Sequence, residues 1–225
     1  MRKVLMLILA LFIALVSCEN DESQILSINE IDCPLNLFYY VGNEKIQLDS
    51  LLLFDHLLVG FDTITSDIAI NEFLNSQAVF NTDTVTGIRE YPHYDKKWII
   101  KELAHSKNCY ELVEIIKNIN SYEIVSFTHC TYESKAWLGE IYCNIMIYSD
   151  RFLVLLKNAN DLDSLNSIVS QTNTKIISKD RSWENGYIIS ADKNSQGNAL
   201  KMSVFFDETN QFEWTSLSFF DYVIE

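Results

Sequence analysis

The order of residue patterns along the chain predicts an α+β fold built of two tandem units. Each unit runs strand, helix, strand, strand, helix, strand, and an N-terminal β-hairpin leads into the first. Three observations predict it. Apolar runs such as Leu51–Asp62 (LLLFDHLLVGFD) and Phe152–Leu156 (FLVLL) open each half. Segments with apolar residues at helical spacing follow them. Turn signals at Gly42-Asn43 and Asn185-Gly186 sit between extended runs. A four-stranded antiparallel sheet with two helices on one face is the ferredoxin-like (βαββαβ) arrangement, and the helices bury that face.

The leading hairpin is the Tyr-rich stretch Phe38–Ile46. The first unit then takes Leu51–Asp62 as its opening strand. Ser66 or Asp67 caps a helix carrying Ile68, Phe73 and Leu74. Asn81–Ile88, rich in Thr and Val, reads as the second strand and Tyr94–Leu103 as the third. Cys109–Ile119 places Leu112, Val113, Ile115, Ile116 and Ile119 at helical spacing. Tyr122–His129 closes the unit, and Leu138–Tyr148 reads as a strand-like connector.

The second unit opens with Phe152–Leu156. Asp161 or Asp163 caps a helix bearing Leu162, Leu165, Ile168 and Val169. Thr174–Ser178 and Tyr187–Ser190 are the two middle strands. Gly197-Asn198 opens a helix with Ala199, Met202, Ser203 and Phe206 on one face, and Gln211–Phe220 completes the sheet. Trp98 and Tyr187 fall on corresponding third strands.

Met1–Ser17 lies outside this pattern. Arg2 and Lys3 precede an apolar stretch, Leu5–Val16, that is short for a spanning helix, which needs about 20 apolar residues. Leu15-Val16-Ser17-Cys18 resembles a bacterial lipobox, which implies cleavage before Cys18 and lipid on its sulfur; an ordinary signal peptide or a short anchor is the alternative. The expected organisation is a leader at 1–17, an acidic tether at 18–36, the hairpin and first unit at 37–136, and the connector and second unit at 137–225. The residues Glu19-Asn20-Asp21-Glu22 in the tether resemble the surface-export signal of Bacteroidetes lipoproteins, which implies the outer membrane and the cell surface.

The whole chain has 17 Lys+Arg against 31 Asp+Glu, a formal charge of −14, and loss of Arg2 and Lys3 makes it −16. Such a surface repels nucleic acid, and no basic patch interleaved with aromatics is present, so nucleic-acid binding is excluded. Cys33, Cys109, Cys130 and Cys143 permit disulfides or buried thiols, and spacing alone does not choose a pairing. His105 and Cys109 stand four apart, but no second ligand pair accompanies them, so no metal and no cofactor is expected.

The residues Thr172–Ile177, Tyr187–Ser190, Ser195–Leu200 (SQGNAL), Phe205–Thr209 and Phe212, with Phe38–Ser50 upstream, resemble the N-terminal propeptide of Bacteroidetes subtilisin-like serine proteases. The chain ends at Glu225, so a stand-alone lipoprotein is expected rather than the leader of a protease. The resemblance implies that the second sheet docks on the enzyme through Tyr187, Ile189, Phe212, Trp214 and Leu217. It also implies that a C-terminal tail (Phe220–Glu225), including Tyr222, Val223, Ile224 and Glu225, lies in the substrate cleft as an added strand. Such proregions carry acidic groups in the last strand, where this chain has Thr215-Ser216-Leu217-Ser218. The alternative is therefore a structural or interaction lipoprotein that has lost protease binding.

No nucleophile elbow, HExxH, GxGxxG or phosphate-binding loop occurs. Ser126 and His129 flank Phe127 without a partner acid at a fixed spacing. No catalytic residue is assigned, and the expected protein is not an enzyme.

Overall fold

The computed structural model describes residues 37–41, 44–48, 51–83, 87–91, 94–134 and 144–223, which all fall within one compact unit, Cys33–Glu225. The leader, Cys18, the tether, Gly42-Asn43, Ile224 and Glu225 lie outside the described residues.

Strands β1 (Phe38–Val41) and β2 (Glu44–Gln47) pair as the expected hairpin. The first half then runs β3 (Leu52–Asp62), α1 (Asp67–Ser76), β4 (Arg89–Tyr91), β5 (Lys96–Glu102), α2 (Cys109–Asn120) and β6 (Val125–Glu133). The second runs β7 (Asn144–Leu156), a short 3-10 turn (Ala159–Asp161), α3 (Leu162–Thr172), β8 (Lys175–Lys179), β9 (Gly186–Ser190), α4 (Ala199–Glu208) and β10 (Phe212–Val223). The fold is mixed α+β, and every strand pairing is antiparallel. In the main sheet the order is β4-β5-β3-β6-β7-β9-β8, with β10 on β7. The halves share this one sheet because the start of β7 pairs with the end of β6 (Tyr132↔Met146).

Caps set the helix starts. The Ser66 hydroxyl accepts from the Ala69 N–H at 3.2 Å. Asn108 and Glu111 form a reciprocal capping box on α2. Asn198 accepts from the Lys201 N–H at 2.9 Å. Asp161 caps the 3-10 turn rather than α3, accepting the Asn158 N–H at 3.0 Å.

Three elements sit where the sequence pattern did not put them, and one helix turns a different face inward. In the stretch expected as the second strand, Asn81–Ile88, the described residues 81–83 and 87–88 are not in a strand, and residues 84–86 lie outside the described residues; β4 starts at Arg89. Asn81 instead accepts the Asp83 N–H on its side chain, a turn that competes with extension. In α1 the buried residues are Ile70 and Leu74, while Ile68 is 72 % exposed. The stretch from Tyr122 remains in a turn stacked on α2, with the Tyr122 N–H on Ile119 O, so β6 starts at Val125. The connector and the strand Phe152–Leu156 are one strand, β7, for residues 144–156, whereas 138–143 lie outside the described residues. Ser149, Asp150 and Arg151 interrupt its apolar run and hide that continuity in the sequence.

The helices cover one side of the sheet. Leu57, Val59, Phe61, Ile99 and Cys130 of the first half, and Phe152, Val154, Leu156 and Ile189 of the second, meet Ile70, Leu74, Leu112, Leu165, Leu200 and Phe206 in one core. Among the described residues the other side is closed in the first half only. There Leu58, Trp98, Ile100 and Phe127 share a second core with Ile145 and Ile147 of β7 and with Phe220 of β10. In a flat sheet β5 and β10 would stand about 19 Å apart, four strand spacings. The Trp98 and Phe220 ring centroids are 5.5 Å apart, so the sheet curls until β5 comes against β10. Register shifts between Phe212 and Trp214 and between Leu217 and Phe219 let β10 bend. Gly60 makes room inside the curl, for a Cβ there would stand 2.2 Å from the Phe127 ring.

Candidate functional site

The same side of the sheet in the second half has no such cover among the described residues. Strand alternation puts Leu153 and Leu155 of β7, Ile188 of β9 and Trp214 of β10 on it, with Leu153 opposite Ile188 and Leu155 opposite Trp214. All four are half-buried, and none belongs to either core. Trp183, 49 % exposed, stands edge-on to Trp214 at 5.5 Å between centroids. Gly186 holds Trp183 in place: a Cβ on it would come within 2.9 Å of the Trp183 Cβ.

This geometry corrects the docking residues read from the sequence. Ile189 is 0 % exposed and Phe212 5 %, both in the core beneath the helices. Tyr187 also packs against that core. Leu217 pairs with Phe152 on the same side and is 8 % exposed. Only Trp214 lies on the open side. The resemblance implies one docking face for Phe212 and Trp214, which a regular strand would allow at a spacing of two, but the irregularity between them breaks that alternation. Leu153, Leu155 and Ile188 were missed. They alternate with core-facing neighbours, Phe152, Val154 and Leu156 on β7 and Ile189 on β9, and only a choice of inner face identifies them.

The described residues of the segment expected as a free tail, 220–223, are part of the sheet. Phe220, Asp221, Tyr222 and Val223 pair with Ile147, Met146, Ile145 and Asn144. Thr215, in the stretch where proregions carry acids, turns inward: its hydroxyl donates to Ser203 O at 2.8 Å and its N–H to Asp207 at 3.3 Å. Burial raises the Asp207 pKa, and that N–H partly opposes the rise.

Polar groups gather where β3, β5, β6, β7 and β9 converge. Lys96 reaches both Asp62 and Ser126, and Ser126 donates to Asp62 at 3.0 Å. Burial pushes the Asp62 carboxyl up, and the Lys96 and Ser126 hydrogen bonds outweigh it, leaving the pKa lowered. Asp150, 1 % exposed, accepts from the Ser190 hydroxyl at 3.0 Å, and burial raises its pKa against the opposing Lys96 and Arg151 charges. Arg151 donates to the Tyr94 carbonyl and lies 3.7 Å from Asp95. This cluster ties the curled sheet to itself.

His129 and Ser126 do not meet as a catalytic pair: Ser126 bonds Asp62, while His129 is stacked on Tyr148 in the interior. Cys109 is disulfide-bonded and so unavailable to share a metal with exposed His105. Cys130 is a buried free thiol, which burial pushes up to about 12. Among the described residues no cluster of three His, Cys, Asp or Glu could hold a metal, and no helix is long and apolar enough to cross a membrane.

No family model matches the chain, and no curated protein matches it. Two solved structures are similar over most of their length. The acetolactate synthase small subunit of Thermotoga maritima is 13 % identical with a TM-score of 0.29, covering 76 % of this chain and 97 % of its own. A candidate glycine cleavage system transcriptional repressor is 14 % identical with a TM-score of 0.23, covering 75 % and 98 %.

Proposed function

We propose that the protein is a lipid-anchored, surface-exposed binding module without catalytic activity, made of two tandem ferredoxin-like units of the subtilisin-propeptide kind. Its partner is a subtilisin-like serine protease, which it inhibits or helps to fold. The observation that carries this reading is the uncovered apolar side formed by Leu153, Leu155, Ile188 and Trp214. Aromatic and aliphatic side chains on a rigid sheet are well suited to anchor a protein interface. The propeptide resemblance names the partner class, and the lipobox at Cys18 supplies the anchor to the outer membrane.

The test titrates the protein into a secreted subtilisin-like protease from the same organism. Inhibition or a stable complex at micromolar concentration is expected, weakened at least about tenfold by Trp214→Asp. Unchanged protease activity with no complex removes the protease as partner. Loss of lipid labelling in Cys18→Ala tests the anchor separately.

One observation favours a second reading, a structural or interaction lipoprotein that has lost protease binding. A tail that must enter a substrate cleft has to be free, and residues 220–223 are paired with β7. Under this reading the protease titration is silent.

A further inference from the structure

On the helix-covered side, α2, β6 and the loop 191–198 leading into α4 enclose a cleft of about 190 Å³. Its walls include Ile116, Asn120, Thr128, Lys193, Ser195 and Asn198. Water fills about 30 Å³ per molecule in the liquid, so the space suits about six waters or one small organic molecule. Two polar atoms in these walls are buried without a hydrogen-bond partner, Thr128 Oγ1 and Asn120 Oδ1. Thr128 is 1 % exposed. Burying such groups unpaired is unfavourable, and a guest that bonds to them removes the penalty.

The charges around the cleft specify the guest further. Asn198 is the N-cap of α4, a helix of 10 residues, and its amide also donates to the Tyr148 hydroxyl at 3.1 Å. The start of a helix favours negative charge. Lys193 donates to the carbonyl oxygens of Tyr122 and Glu123 at 2.6 and 3.2 Å, so both of its hydrogen bonds go to neutral groups. Asp192, also in the wall, is already matched by Lys175 at 2.8 Å. Lys193 and the start of α4 therefore border the space together with the ion-paired Asp192, and its walls carry an unpaired hydroxyl and an unpaired acceptor.

We propose that this cleft binds a small organic carboxylate that also bears a hydroxyl or amino donor. The carboxylate meets Lys193, the Thr128 hydroxyl and the first turn of α4, and the donor meets Asn120 Oδ1. The test uses the full-length chain in mild detergent and follows backbone amide shifts by NMR. The probes are L-lactate and L-serine, with acetate and glycerol as controls lacking the donor and the charge respectively. Saturable shifts at Thr128, Asn198, Ala199 and Leu200 are expected with lactate or serine, at least about tenfold weaker with acetate and absent with glycerol. Thr128→Val, which keeps the shape of the side chain, should weaken the response by about tenfold, as should Asn120→Leu. Silence from all four probes in the wild type leaves only water in the cleft and overturns the proposal. So does equal binding of acetate or glycerol, or binding unchanged in both variants.

Discussion

Acid sensitivity centred on His129 is the prediction that the structure makes most quantitative. His129 is 1 % exposed, stacked on Tyr148 at 4.5 Å and 4.6 Å from the Phe127 ring. Its Nδ1 lies 3.3 Å from the Tyr148 carbonyl oxygen, so the neutral ring can donate there. Burial lowers its pKa from 6.5 to about 3, and the Tyr148 carbonyl only partly opposes this. In the unfolded chain the ring protonates near its ordinary value; in the folded protein it stays neutral until about pH 3. Its contribution to stability is therefore whole above pH 6.5 and is lost as pH falls toward 3. At about 1.4 kcal/mol per pH unit, the loss between pH 6.5 and 4 is about 3 kcal/mol. The assay is denaturant unfolding of the wild type and His129→Gln at pH 7, 5.5 and 4. Gln retains an N–H for the Tyr148 carbonyl but does not titrate. Asp62, Asp192 and the other carboxylates titrate in both proteins and cancel in the comparison. The stability of the wild type relative to the variant should fall by about 3 kcal/mol from pH 7 to pH 4. A difference that stays constant to within about 0.5 kcal/mol refutes the reasoning. So does a His129 ring proton that titrates near 6.5 in the folded protein.

Three further outcomes follow from packing, burial and capping. Gly60→Ala should cost about 1–3 kcal/mol, since the new Cβ meets a Phe127 ring wedged against Trp98; Gly87→Ala, with nothing within 4 Å, should be near neutral in the same melts. Burial raises the Asp150 pKa, so the wild type loses stability as pH rises above 3.8 and through the folded value. Asp150→Asn keeps an acceptor for Ser190 and should be the more stable protein at pH 7, an advantage that vanishes in acid. Asn198→Ala should cost about 1 kcal/mol through loss of the α4 cap, measured as a lower denaturation midpoint, with Asn198→Asp retaining most of it.

The sequence by itself determined the element types and most of their order. Local rules suffice for that. Asn108 with Glu111, Asn198 before Ala199, and the apolar run Phe152–Leu156 act over only a few residues. It failed where local signals were ambiguous: Asn81 chose a turn over a strand, and the polar triplet Ser149–Arg151 masked one long β7. Tertiary structure alone decided which side of each strand faces the helices, because a period of two fixes the alternation and not its direction. That is why Ile189 and Phe212 are core, while Leu153, Leu155 and Ile188 are outward. Tertiary structure also decided that, among the described residues, the first half closes its second side and the other half does not. Phe220 lies more than a hundred residues from Trp98 in the chain, and only a sheet bent through its irregularities on β10 brings their rings to 5.5 Å.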